Sequence, residues 1–219
     1  MASFNKAIDI ESDYPSTYLW RGVTYVRLRE YEQAISDIST AINLDCENGL
    51  KIRKQDYPIA YDNRGNAYYN LKNYQSAIKD YNRAIQLKPD YVNACFNLGV
   101  VYHKLNNYEE ALSQYNKCLR LEENYWIAFS NIGLIKYEMN KPSSAMVCWE
   151  QAVTINNNEI EPQLAFAVAL YAQGQQEEGL KKAKEALKLD DRWEQIEFLR
   201  QNLWGDVLLT DAQQLLNDI

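Results

Sequence analysis

At 219 residues, 47% of them apolar and 24% charged, the chain is long enough to bury a sizeable core. A formal charge of −7 and a pI near 4.9 exclude a general binder of phosphate backbones, which needs a basic face. Cys46, Cys95, Cys118 and Cys148 form no CxxC pair and read as small apolar packing residues, and no stretch has the length of a membrane span or the apolar run of a signal peptide, so a cytoplasmic protein is expected.

Within residues 1–14, Phe4, Ala7 and Ile10 fall in helical phase and predict one short helix. From there on the chain is periodic. Gly65, Gly99 and Gly133 stand 34 residues apart, and Gly22 precedes Gly65 by 43, one period plus nine. Twelve residues after each glycine comes an alanine: Ala34, Ala77, Ala111 and Ala145. Nineteen after comes Ala41, Ala84, Cys118 or Ala152, and twenty-two after comes Leu44, Leu87, Leu121 or Ile155. Tyr25, Tyr68 and Tyr102 follow their glycines by three, with Lys136 breaking that column. Apolar spacings of three, four and seven within each half-unit describe one face of an α-helix. Segments such as LKNYQS and LNNYEE supply a short turn, so each unit is predicted to be two antiparallel helices. A glycine inside a helix costs about 1 kcal/mol relative to alanine. Its recurrence in register implies a facing helix too close to admit a Cβ. One such pair cannot bury its apolar face alone, but a stack of pairs can.

This reading places units at 15–48, 58–91, 92–125 and 126–159, with a degenerate fifth at 160–193 where Ala167 stands for the glycine and Gly179 for the second-helix alanine. Residues 1–14 read as the second helix of a unit whose first half is missing. Residues 49–57 are an insertion: Asn48 and Gly49 suit a helix C-cap and Pro58 suits the next first turn. Lys51, Arg53 and Lys54 there form a basic cluster, either a solvated connection or a contact for an acidic partner segment. Residues 194–219 are expected to be capping helices, with Ile196, Leu199 and Leu203 on one stripe and Thr210 with Gln213 as a capping box.

The columns resemble the tetratricopeptide repeat, most closely in YDNRGNAYYNLKNYQSAIKDYNRAIQLKPDY from Tyr61 to Tyr91. Departures are Tyr18, Tyr61, Cys95 and Phe129 where tryptophan is common, and a closing-turn proline only at Pro89. The tail EFLRQNLWGDVLLTDAQQLL resembles that of cyanobacterial tetratricopeptide proteins, which bears on origin alone. The resemblance implies an all-α solenoid, a right-handed superhelix of antiparallel helix pairs whose first helices line a concave groove. Counted from the start of each unit, position 6 then holds Asn63, Asn97 and Asn131 on that wall, with Trp20 in the first unit. An amide both donates and accepts, so such a row can pair with the backbone of an extended chain. It resembles the asparagine ladder of O-linked N-acetylglucosamine transferase; the alternative is a local structural role. Phe96 at position 5, Val100 and Leu134 at position 9, and Tyr69, His103, Tyr137 and Tyr171 at position 12 add an apolar stripe of the kind that marks a partner site. Repeats that grip the acidic tails of heat-shock chaperones carry cations where this chain has Asp62, Ile127 and Asn131, so that role is not expected.

His103 is the only histidine and has no nucleophile partner in the pattern; phosphate loops and histidine pairs at metal spacing are absent too. No catalytic residue, metal or cofactor is therefore expected. The expected function is a non-catalytic scaffold or adaptor that binds an extended or helical segment of a partner protein or peptide in the concave groove, and not nucleic acid or membrane. Two other readings stay open: a regulatory fragment of a larger enzyme, and a homodimer joined through the N-terminal end.

Overall fold

The computed structural model of the chain describes residues 1–48 and 52–219, and the described residues contain thirteen α-helices and no strand. They fall into two compact units, residues 1–101 and 102–219. The expected cap at Gly49 and the cation Lys51 lie outside the described residues.

The first unit holds α1 (Ala2–Ile10), α2 (Pro15–Arg27), α3 (Tyr31–Asn48), α4 (Tyr57–Asn70), α5 (Tyr74–Leu87) and most of α6 (Val92–Lys104). Helix α2 packs along α3, α3 against α4, and α4 along α5. Pro15 and Pro58 sit in first turns, where the missing N–H costs nothing. The second unit holds α7 (Tyr108–Leu121), α8 (Trp126–Glu138), α9 (Pro142–Ile155), α10 (Ile160–Ala172), α11 (Gln176–Leu187), α12 (Ile196–Gln201) and α13 (Asp206–Asn217). Here α8 pairs with α9 and α10 with α11, while α9 packs against α10.

Every turn inside a helix pair closes the same way. Arg29, Lys72, Asn106, Asn140 and Gly174 all have positive φ, at one position of the repeat. The next amide then reaches back five residues, as Asn73 N–H does to Tyr68 O at 2.9 Å, and satisfies a helix-end carbonyl. Glycine takes this conformation without strain, whereas arginine and lysine do not.

The glycine column is a row of notches, each filled by a side chain of the facing helix. A Cβ on Gly22 would stand 2.6 Å from Ile38 Cγ1, and one on Gly65 would stand 2.7 Å from Tyr81 Cε1. One on Gly133 would collide with the Trp149 ring. The facing helix thus drops a bulky side chain sixteen residues downstream into each notch. Ile38, Tyr81 and Trp149 are buried there. In the degenerate pair the roles reverse: Gly179 lies against the Ala167 carbonyl, and Ala183 takes the bulky residue's place.

The insertion after the first pair is tied down over its described part. Ile52 is buried in the core with Leu19, Ile38 and Ala60, and Arg53 Nε donates to buried Asp56 at 2.8 Å. Arg53 is therefore already engaged within the chain. The capping box expected at Thr210 is not formed. Helix α13 starts at Asp206, so Thr210 lies inside it and its hydroxyl donates to Asp206 O at 2.8 Å. Thr210 and Gln213 have the right spacing, but the leucines before them already belong to the helix.

Candidate partner-binding surface

The inner wall of the first unit is made by side chains of α2, α4 and α6. Trp20, Asn63, Asn66, Tyr69, Phe96, Asn97 and Val100 are half-buried there. Asn63 Nδ2 donates to Ile59 O, one turn back on its own helix, at 2.9 Å. Asn97 Nδ2 donates to Asp62 Oδ1 at 2.9 Å, and Asn66 Oδ1 accepts the Tyr81 hydroxyl at 2.8 Å. These bonds orient the amides and use part of their hydrogen-bonding capacity. The side-chain oxygens of Asn63 and Asn97 accept no bond among the described residues. Asp62 is 5% exposed, and burial pushes its carboxyl up to about 6 although the Asn97 amide favours the charged form.

The second unit treats its expected wall residues differently. Leu134, Tyr137 and Tyr171 are buried, and Asn131 with them at 5% exposure. Leu134, Tyr137 and Tyr171 share one core with Leu164 and Val168 and with Leu208, Leu209, Ala212 and Leu215 of α13. Helix α13 packs against α8 and α10, the first helices of the two pairs, so it covers the face those residues were expected to offer a partner. Its polar anchors are specific. Tyr137 Oη donates to Asp211 Oδ2 at 2.6 Å, and the Tyr171 hydroxyl donates to Asp218. Burial together with Asp211 holds the Tyr137 phenol well above its ordinary pKa; the hydrogen bond to Asp218 raises that of Tyr171. Both therefore remain donors. Glu138 at the end of α8 accepts the Val207 and Leu208 amides at 3.2 and 3.0 Å, capping a helix whose own N-cap residue is Gly205.

His103 is a core residue and not a lining ring. It is 4% exposed and lies edge-on to Tyr108 and Tyr115, with ring centroids 5.9 and 6.4 Å away. Burial, aided by the Lys104 charge, lowers its pKa to about 4, so the imidazole is neutral. On α10, burial raises Glu161 to about 7; its Oε2 accepts the buried Ser130 hydroxyl at 3.0 Å. Asp211, Asp218 and Glu138 were not singled out from the sequence. The signal was present in the apolar stripe Leu208, Leu209, Ala212, Leu215 and in two position-12 tyrosines one period apart. Among the described residues no three His, Cys, Asp or Glu side chains gather as metal ligands, and no helix is long and apolar enough to cross a membrane.

Comparison with known proteins places this architecture. Models of the tetratricopeptide repeat match residues 15–48 and 92–125, and a TPR-repeat model matches residues 65–106. No curated protein sequence matches the chain. Among solved structures, one of MamA is 23% identical with a TM-score of 0.63, covering 70% of this chain and 85% of that one. MamA from residue 41 to its end, from Desulfovibrio magneticus RS-1, is 17% identical with a TM-score of 0.68, covering 82% and 97%. YrrB, described as a TPR protein with an unusual peptide-binding site, is 18% identical with a TM-score of 0.64, covering 96% and 97%. At these identities the likeness is one of fold. The repeat that spacing points to is met again in the family models and in the helix pairs themselves, and the chain is a tetratricopeptide-repeat protein.

Proposed function

We propose that the chain is a non-catalytic scaffold that holds an extended segment of a partner protein against the inner wall of its first unit. The observation that carries this reading is the contrast in cover: α13 lies over the inner face of α8 and α10, whereas Asn63, Tyr69, Phe96, Asn97 and Val100 stay half-exposed. Asn63 and Asn97, held by Ile59 O and Asp62, would present their carbonyl oxygens to backbone N–H groups of the segment, with apolar side chains lodging beside Tyr69 and Phe96. The peptide-binding site of YrrB, a protein of the same fold, supports a peptide as ligand.

Peptides selected from a random display library against the intact chain provide the test. Each lost amide contact weakens binding by about 0.5–1.5 kcal/mol, so Asn63→Ala with Asn97→Ala should weaken it by about 1–3 kcal/mol. Unchanged affinity in a folded double variant overturns the proposal.

A further inference from the structure

The last helix is placed as a ligand would be. Its N-terminal end sits on Glu138 of α8 and its C-cap Asp218 on Tyr171 of α10, so α13 crosses from one first helix to the next. The two tyrosines lie one period apart in sequence, and the aspartates they hold are seven residues apart. Seven residues of α-helix rise about 10.5 Å, close to the 8–10 Å between packed helix axes. Two helical turns therefore match one step of the repeat.

The acids are poor choices for the helix itself. Aspartate has low helix propensity inside a helix, and at the C-terminal end it opposes the helix dipole. Asp211 and Asp218 occupy those two kinds of place, and both are engaged by tyrosines of the wall. The connection before α13 carries Leu203 at φ 69, a strained conformation for leucine.

We propose that the inner face of α8 and α10 is a receptor for an amphipathic helix, and that α13 is its built-in occupant, displaced by a partner helix of the same chemistry. That chemistry is a Leu–Leu–x–x–Ala–x–x–Leu stripe with one carboxylate just before its alanine and a second seven residues further on. This site is separate from the wall of the first unit, and its test does not depend on that proposal.

Two experiments on the full chain decide it. In hydrogen exchange, the amides of residues 209–217 should exchange at least tenfold faster than those of α10, because the helix opens while the repeats stay folded. Equal protection overturns the proposal. In the second, a labelled peptide of residues 205–219 is titrated onto the wild-type chain and onto Asp211→Asn with Asp218→Asn, which weakens the resident helix and leaves the receptor intact. The peptide should bind the variant at least tenfold more tightly. Equal binding to both, or none to a folded variant, overturns it. Should the variant not fold, the exchange experiment on the wild-type chain still decides.

Discussion

The two units fasten the same helix pair by different chemistry. In the first, an arginine on each of α2 and α4 reaches a buried aspartate sixteen residues on: Arg21 to Asp37 at 2.6 and 2.7 Å, and Arg64 to Asp80 at 2.7 and 2.9 Å, both bidentate. Tyrosine rings flank the guanidiniums, Tyr18 and Tyr25 at Arg21 and Tyr61 at Arg64. In the α8–α9 pair the same two positions hold Ile132 and Cys148, both buried, and the adjacent notch takes Trp149, whose Nε1 donates to Ser130 O at 3.2 Å. The repeat thus specifies where the helices meet, not what joins them. Charge pairs suit a unit whose inner wall stays wet; apolar filling suits one covered by its own tail.

The largest expected effect lies on the apolar side. Trp149→Ala empties the Gly133 notch and should cost about 3–5 kcal/mol, seen as a lower urea midpoint. On the polar side, Arg64→Ala leaves Asp80 buried without its partner and should cost about 3 kcal/mol. Importing the second unit's solution, Arg64→Ile with Asp80→Cys, should restore most of that loss. If the double variant is as unstable as the single one, the two fastenings are not interchangeable.

A pH titration of stability separates the units further. Asp62 and Glu161 have folded-state values raised to about 6 and about 7, so the folded chain binds their protons more readily than the unfolded chain. Stability from these two should rise on acidification, through about pH 7 for Glu161 and about pH 6 for Asp62, and keep rising towards their unfolded values of 4.5 and 3.8. His103, lowered to about 4, acts oppositely: the unfolded chain takes its proton first, and stability falls as pH drops below about 6.5. His103→Phe should remove that fall, and Asp62→Asn should flatten only the part of the acid-side rise that belongs to the first unit. Denaturant midpoints measured from pH 8 to 5 check both. The smallest effect concerns what the units share: Lys72→Gly relieves a left-handed turn residue and should add about 0.5–1 kcal/mol.

The helix pairs were legible because a 34-residue period repeats the same packing demand, and repetition makes it audible above single-residue noise. The meaning of the glycines was half legible. A notch can be inferred from a recurring glycine, but its filling by Ile38, Tyr81 or Trp149 needed the register between helices. The cover of Leu134, Tyr137 and Tyr171 was not legible, because it depends on where a tail more than 30 residues further along the chain folds back. His103 looked like Tyr69 and Tyr137 in the column, yet burial among tyrosines decides its character, and burial is a property of neighbours.

Glu138 carries a consequence for the order of folding. Helix α13 has twelve residues, a glycine as N-cap and no side-chain cap of its own. A helix that short is marginal in water, and this one receives its missing carboxylate from the end of α8. The tail therefore gains its structure only after the fourth repeat exists to cap it. In a chain emerging from the ribosome it appears after the repeats it docks on, so its docking reports that those repeats have been completed.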